Sequence, residues 1–200
     1  MKINSRLSRI VPGAATAFTV LAALMWALKA VTGGETWFTL ALTFTATAYH
    51  FWMRLCVGFS IRPFTPRMNP DNFWFRQRAW EAPLYRALRV HSWKGHMPTY
   101  IPGDFTLANG ADNLVKTMCA AELIHEVIVV MGYATLLLAL LCEDKAENLM
   151  IFGVTAFVAG LFDMTFVVMQ RYNRPRVRRI VERQAARNAR IMNKVEEWQI

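Results

Sequence analysis

Four long apolar runs, at residues 12–31, 36–57, 120–141 and 149–169, constrain the fold of this chain more than any other feature. Each is about 20 residues long, and a helix of that length spans about 30 Å, the thickness of a bilayer's hydrocarbon core. A hydrophobic fraction of 54% with 18% charged residues is also too apolar for an ordinary soluble domain. The sequence predicts an all-α membrane protein with four transmembrane helices in a single domain, 1–200.

The first apolar run follows a short basic segment containing Lys2, Arg6 and Arg9, a pattern that also begins signal peptides. This run is long for the apolar region of a signal peptide, however. It ends at Lys29 and two glycines, not at a small-residue cleavage site. We therefore expect an uncleaved first transmembrane helix, followed by a tight turn.

Basic residues are distributed unevenly among the polar segments. The N-terminal segment, the central segment 58–119 and the tail 170–200 carry 3, 8 and 9 of them, whereas the two short loops carry only Lys145. The positive-inside rule predicts a multi-pass protein of the cell membrane with both termini and the central segment in the cytoplasm. Because these cations flank apolar runs, the net charge of +9 favours anionic lipids or an anionic substrate, and we expect no nucleic-acid partner.

The central segment 58–119 mixes aromatic with basic side chains and is interrupted by prolines. This composition is typical of a segment that lies in the membrane interface. Within it, 78–90 is predicted to form an amphipathic helix whose apolar face comprises Trp80, Leu84, Ala87 and Leu88. The tail 170–200 should form a basic helix at the cytoplasmic surface.

Three polar side chains interrupt the second and fourth runs. His50 and Arg54 are four residues apart and share a helical face. Arg54 could reach the lipid headgroups, or the two residues could line a site. Asp163 lies inside the fourth run, where an isolated carboxylate is costly, so it should be protonated, paired or facing a cavity.

Glu122, His125 and Glu126 form a polar cluster at the start of the third run. Since Glu122 and His125 are three residues apart on a helix, the carboxylate can hydrogen-bond the imidazole, and His125 can act as a general base. The alternative interpretation is that the two acids lie at the N-terminal end of a helix, where the helix dipole favours negative charge. His50 and His125 could ligate a haem, but no other feature favours metal or haem. The three cysteines are widely spaced and indicate no disulfide framework.

The block 170–176, Gln-Arg-Tyr-Asn-Arg-Pro-Arg, closes the last apolar run. We expect Pro175 to end the span sharply and to direct several donors back towards the interface, which suits phosphate recognition. The alternative interpretation is that these cations only reflect the positive residues that commonly follow a last span. The third run starts and the fourth ends on the same side, so this block should meet the Glu122 cluster. The sequence has no P-loop, no Gly-x-Ser-x-Gly and no Gly-x-Gly-x-x-Gly motif.

Several motifs together resemble those of a known family: Arg78-Ala-Trp-Glu81, Val90-His-Ser-Trp93-Lys94 with Pro98, Ala121-Glu122-Leu-Ile-His125, and the block 170–176. They look like the ordered motifs of the glycosyl-4,4'-diaponeurosporenoate acyltransferases, small integral-membrane enzymes that complete a carotenoid pigment. The resemblance covers about residues 70 to 180. It implies transfer of a fatty acyl group to a sugar hydroxyl of a glycosylated carotenoid.

The resulting hypothesis is a membrane acyltransferase in which His125, oriented by Glu122, removes the proton from an attacking hydroxyl. The predicted binding residues are Arg78, Glu81, Trp93, Lys94, Gln170, Arg171, Tyr172, Asn173, Arg174, Arg176 and His50. Their cations would hold the phosphates of acyl-CoA or acyl carrier protein, and Tyr172 or Asn173 would stabilise the carbonyl oxygen.

The expected partners are membrane lipids, the acyl donor and a glycosylated lipid acceptor, with no cofactor and no metal. A small reductase or methyltransferase with a nucleotide cofactor, or a non-catalytic lipid-binding protein, is the alternative.

Overall fold

A computed structural model describes residues 7–97, 99, 102–106 and 110–197, and every regular element within these ranges is helical. The α-helices are α1 (Leu7–Thr32), α2 (Glu35–Ile61), α3 (Glu81–Ala87), α4 (Val90–Trp93), α5 (Ala111–Gly132) and α6 (Lys145–Glu197). Short 3-10 helices occupy Arg62–Arg67, Lys94–His96 and Pro102–Asp104, and a longer one, Tyr133–Leu141, extends α5. The all-α prediction is confirmed. Lys2, Arg6 and Pro98 lie outside the described residues.

Helices α1 and α2 form a hairpin around Gly33, whose φ of 71° is open to glycine at no steric cost. The indole of Trp52 on α2 donates to the Thr19 hydroxyl on α1 at 2.9 Å. Nearer the turn, the Trp26 indole on α1 donates to Thr45 on α2 at 3.1 Å. Together with an ion pair between Lys29 on α1 and Glu35 on α2 beside the turn, these hydrogen bonds hold the register of the pair.

Among the described residues, three helical segments are long and apolar enough to cross a membrane: Leu7–Thr32, Ala111–Leu141 and Lys145–Met192. Helix α2, which we predicted as the second of four spans, is not among them, because its five threonines, Tyr49 and His50 lower its hydropathy. Four of these threonine hydroxyls donate to the carbonyl one turn earlier, as Thr45 does to Ala41 at 2.7 Å. Helix α2 nevertheless packs against both α1 and α5.

Helix α5 and its 3-10 extension run back along α6 and bury an apolar core of Leu42, Ala46, Ala139, Cys142 and Phe152 with α2. The outer surface is also apolar: Val130, Leu137, Val154 and Val158 are all more than half exposed. An apolar exterior matches a lipid environment. Helix α5 begins at Ala111, nine residues before the predicted start, so Glu122 lies three turns inside it. The helix-dipole interpretation of Glu122 therefore does not apply, since that effect is confined to the first turn.

Pro175 does not end the last helix, and our prediction of a sharp end there is wrong. Helix α6 is continuous from Lys145 to Glu197 and contains Pro175 in its interior. A proline inside a helix removes one hydrogen bond and costs about 3 kcal/mol. Ion pairs made by Arg171 and Arg174, one turn and one residue before the proline, anchor the helix there and offset this cost.

The predicted amphipathic helix at 78–90 is divided into α3 and α4 by Arg89, whose φ of 48° is left-handed. Its predicted apolar face, with Trp80, Leu84 and Leu88, is exposed. Glu81 and Tyr85, on the adjacent face, pack inwards instead. An exposed apolar face beside a membrane protein's bundle fits the predicted interfacial location.

Candidate active site

A buried network of four charged side chains joins α3, α5 and α6. Arg171 on α6 donates from Nη2 to Glu81 Oε1 and from Nη1 to Glu122 Oε1, both at 2.7 Å. Arg174, one turn further along, donates to the other oxygen of Glu122. Glu81 is 1% exposed and Glu122 is fully buried. Two carboxylates balance two guanidinium groups, so the network carries no net charge.

The same two arginines also hold the segment that precedes α3. Arg171 donates to the carbonyl oxygens of Trp74 at 3.2 Å and Arg76 at 3.3 Å, and Arg174 donates to that of Phe75. Backbone carbonyls in an irregular segment need such donors when they approach a protein interior. The arginines therefore connect three helices and one loop at a single point.

Glu81 is held in its ionised form. Burial alone would raise the pKa of Glu81, but hydrogen bonds from Arg171 and from the Tyr85 hydroxyl, the latter at 2.6 Å, outweigh it and lower that pKa. Burial, followed by the hydrogen bond to Glu81, raises the pKa of Tyr85 above its usual range, so its hydroxyl stays a donor. The backbone N–H of Arg78 also donates to Glu81, at 3.1 Å, whereas its side chain is exposed.

The expected meeting of the Glu122 cluster with the block 170–176 is confirmed, but the pairing of Glu122 with His125 is not. The two oxygens of Glu122 accept from Arg171 and Arg174, and His125 places Nδ1 3.1 Å from Asp163 Oδ1. Neighbouring turns of α5 thus direct these two side chains to different partners on α6.

Asp163 is the centre of a second polar cluster within the bundle. It is 2% exposed and accepts from Arg54 on α2 in addition to facing His125. The His125 imidazole stacks on the Phe166 ring, with centroids 4.5 Å apart and planes 5° from parallel. We predicted that Asp163 would be protonated, paired or facing a cavity, and the structure confirms that it is paired. Sequence reasoning missed that His125 is one of the partners, although an acid in an apolar run signals that some partner exists.

His50 lies next to this cluster without joining it. Its backbone carbonyl accepts from Arg54 at 3.0 Å, while both ring nitrogens are buried and make no hydrogen bond among the described residues. The Cε1 atom packs so close to Gly132 that a Cβ there would lie 3.6 Å away. Arg54 therefore lines the cluster, as one of our two alternatives proposed, whereas the His50 ring makes no hydrogen bond to it.

The other predicted binding residues gather around Tyr172, whose ring packs edge-on against Tyr85. Lys94 Nζ donates to Asn173 Oδ1 at 2.8 Å and lies 4.9 Å from the centroid of the Tyr172 ring. Arg176 stacks on the same ring at 3.4 Å. Trp93 packs against this group and donates to the Leu88 carbonyl, and Gln170 is buried. Lys94, Tyr172, Asn173 and Arg176 thus form one cationic cluster.

Within the described part of the chain, no group of three His, Cys, Asp or Glu side chains is arranged to hold a metal ion. The polar clusters are built instead from ion pairs and from one imidazole–carboxylate pair. An imidazole whose Nδ1 faces a carboxylate is suited to proton transfer through its other nitrogen.

A family model described as glycosyl-4,4'-diaponeurosporenoate acyltransferase matches residues 71–183, more than half of the chain. The match includes both members of the His125–Asp163 pair and the whole buried ion network, whereas His50 and Arg54 lie before it. No curated protein and no solved structure matches the chain.

Proposed function

The chain belongs to the glycosyl-4,4'-diaponeurosporenoate acyltransferase family, and we propose that it transfers a fatty acyl group from a thioester donor to a hydroxyl of a glycosylated lipid. The family is one of acyltransferases in carotenoid biosynthesis. Acyl-CoA or acyl carrier protein is the proposed donor. The apolar bundle and its apolar exterior support a lipid acceptor, and the excess of basic residues in the central segment and tail supports a site at the cytoplasmic face.

The observation that carries this proposal is the contact between His125 Nδ1 and Asp163 Oδ1 at 3.1 Å. A carboxylate at this position favours the tautomer with hydrogen on Nδ1. The lone pair of Nε2 then serves as the base. Asp163 also stabilises the imidazolium that forms when Nε2 takes a proton, and the ion pair with Arg54 holds the Asp163 side chain in place.

The proposed reaction is a direct transfer. As the acceptor hydroxyl oxygen forms a bond to the thioester carbonyl carbon, His125 Nε2 removes the hydroxyl proton. The carbon–sulfur bond then breaks, and the thiolate leaves with the proton returned by the imidazolium. The products are an ester and a thiol, so the histidine ends in its starting form.

Glu122 is given a different role from the one we first expected. Since both of its oxygens are engaged by Arg171 and Arg174, we assign these three residues and Glu81 to positioning. They hold α5 and α6 in the register that brings His125 opposite Asp163. Asn173 accepts from Lys94 through its oxygen, and we assign it to holding the arm of the donor rather than the reacting carbonyl.

The test is acyl transfer by purified protein in detergent, with labelled palmitoyl-CoA and membrane glycolipids. We expect His125→Ala to lower the rate about a hundredfold or more at a normal protein level, as loss of a general base does. The matched control is His96→Ala, since His96 is an exposed histidine outside the polar clusters. A His125→Ala protein that keeps most of the wild-type rate would refute the base assignment.

A further inference from the structure

A groove of about 540 Å³ opens between the α3–α4 segment and α6, with Tyr172 in its lining. Its lining includes residues that the sequence motifs did not single out. The basic side chains in the lining are Arg86, Arg89, His91 and Arg176, of which the sequence motifs did not single out Arg86 and Arg89. The lining also contains Gln77, Ser92, Tyr85 and Tyr172 but no acidic residue.

The groove carries positive charge that the protein itself does not neutralise. Arg86 and Arg89 are exposed, and neither they nor Arg176 pairs with a carboxylate among the described residues. The nearest acid in sequence, Glu81, is buried and already accepts from Arg171 and Tyr85. Three guanidinium groups around one concave surface form a site for an anion with several oxygens, because each can donate two parallel hydrogen bonds.

Two cations are also crowded at the edge of this groove. Lys94 Nζ and Arg176 lie over the same Tyr172 ring, 4.9 Å and 3.4 Å from its centroid. Burial, followed by the charge of Arg176, lowers the pKa of Lys94. Placing like charges together is unfavourable unless an anion binds between or beside them.

Arg89 adopts a backbone conformation that is costly for a residue with a side chain. Its φ of 48° lies in the left-handed region, and within the described ranges no other non-glycine residue has a positive φ. Its carbonyl accepts from the backbone N–H of Ser92 at 2.9 Å and from the Ser92 hydroxyl at 2.8 Å, which hold the bend. Such strained positions are concentrated at ligand sites, and here the bend places an arginine at the groove.

We propose that this groove binds the phosphate-bearing part of the acyl donor, with Arg86, Arg89 and Arg176 contacting phosphate oxygens. The proposal rests on the proposed function, since it concerns the donor of that reaction. In this proposal phosphate binding does not involve Arg171 and Arg174, which we first expected to bind phosphate but which have buried carboxylate partners.

The position of the groove suits a donor with a long arm. Asn173 follows Phe166 by seven residues on α6, two turns on the same face and about 10 Å along the axis. His125 stacks on Phe166, and Asn173 contacts Lys94 beside the groove. A thioester arm that enters past Asn173 would therefore carry its carbonyl from the phosphate site towards the proposed base.

Direct binding of coenzyme A to the purified full-length protein in neutral detergent, measured by calorimetry, tests the inference without requiring turnover. The test variant is Arg86→Gln with Arg89→Asn, because asparagine tolerates a positive φ better than most residues. We expect its Kd for coenzyme A to rise about tenfold or more, as expected when charged hydrogen bonds are lost. Arg89→Lys keeps the charge and should have a smaller effect.

The matched control is Arg183→Gln with Arg187→Gln, which removes the same charge from exposed positions on α6 away from the groove. The control should bind coenzyme A within about twofold of wild type, given the low energy of exposed charges. His125→Ala should also bind normally, so failure of the base assignment leaves this result unchanged. Equal weakening in the test and control variants would refute a specific site.

Two further results would overturn the inference. One is wild-type affinity for coenzyme A in the Arg86 and Arg89 variant with an unchanged melting temperature. The other is binding that depends on these arginines for vesicles containing anionic phospholipid but not for coenzyme A, which would assign the groove to a lipid headgroup. Acyl transfer that persists in either case would leave the proposed function standing.

Discussion

Replacing Glu122 by glutamine separates a structural role for this carboxylate from a catalytic one. Glu122 is fully buried and makes two ion pairs, with Arg171 at 2.7 Å and with Arg174. Glutamine has nearly the same volume, so the substitution leaves no cavity. It removes the negative charge and places an amide group against a guanidinium group that is itself buried.

The expected destabilisation follows from what remains. Arg171 keeps Glu81 as an ionic partner, but Arg174 keeps no carboxylate among its partners in the described residues, which are the Phe75 carbonyl and ring and the Cys119 sulfur. Breaking a buried ion pair by removing one partner costs about 3–5 kcal/mol, because the other charge stays buried without compensation. For a chain of this length, that corresponds to a fall in melting temperature of about 6–20 °C.

The assay is thermal unfolding in a fixed detergent, followed by circular dichroism and by the loss of soluble protein. The control is Asp71→Asn, which breaks the ion pair of Asp71 with Arg178 at 2.6 Å on the surface. Exposed pairs contribute about 0–1 kcal/mol, so this variant should melt close to wild type.

The opposite pattern would refute the reasoning. If Glu122→Gln unfolds at the wild-type temperature and yet loses acyl transfer, its carboxylate acts in the reaction, and the positioning role assigned to the ion network is wrong. If it is destabilised but keeps its rate at a temperature below unfolding, the positioning role is limited to stability.

Two other predictions concern the dependence of stability on pH and the removal of Pro175. Because the pKa of Glu81 is lowered on folding, its stabilising contribution is complete above its ordinary value of 4.5 and is lost as the pH falls through the lowered folded value. The melting temperatures of wild type and Glu81→Gln should therefore converge below pH 4.5, and a constant difference would contradict the ion pairing. Pro175→Ala should stabilise the protein by up to about 3 kcal/mol, since it restores a hydrogen bond within a continuous helix. An unchanged or lower melting temperature would contradict the assigned cost of a proline inside α6.

Much of the architecture could be predicted from periodicity and composition. Apolar runs of the right length indicated long helices, and the mixture of aromatic and basic residues indicated an interfacial segment. The prediction that the block 170–176 meets the Glu122 cluster succeeded because consecutive spans must run in opposite directions. The number of spans was not predicted in the same way. The threonines of α2 satisfy their hydroxyls within the helix but lower its hydropathy, so α2 is not among the described segments that are apolar enough to span a membrane.

The partners of individual side chains could not be predicted in the same way. Sequence spacing placed His125 one turn from Glu122, but α6 brings Asp163, 38 residues away, closer to the imidazole. Spacing reports only neighbours on one helix, whereas the rotation of α5 against α6 decides which face meets which. Pro175 likewise has a local tendency to end helices, which tertiary ion pairs override.

Periodicity, composition and the distribution of charge are sufficient to show that this is a helical protein for a membrane, that its basic residues lie at the ends of apolar runs, and that an acid within a span requires a partner. These properties depend on transfer of side chains from water and on helix geometry, both of which are local. The folded arrangement of the helices is needed to see that Asp163 pairs with His125 and Arg54, that Arg171 and Arg174 turn inwards, and that Arg86 and Arg89 line a groove. Those outcomes depend on how helices pack, because a charge buried by packing must take whichever opposite charge the packing places beside it.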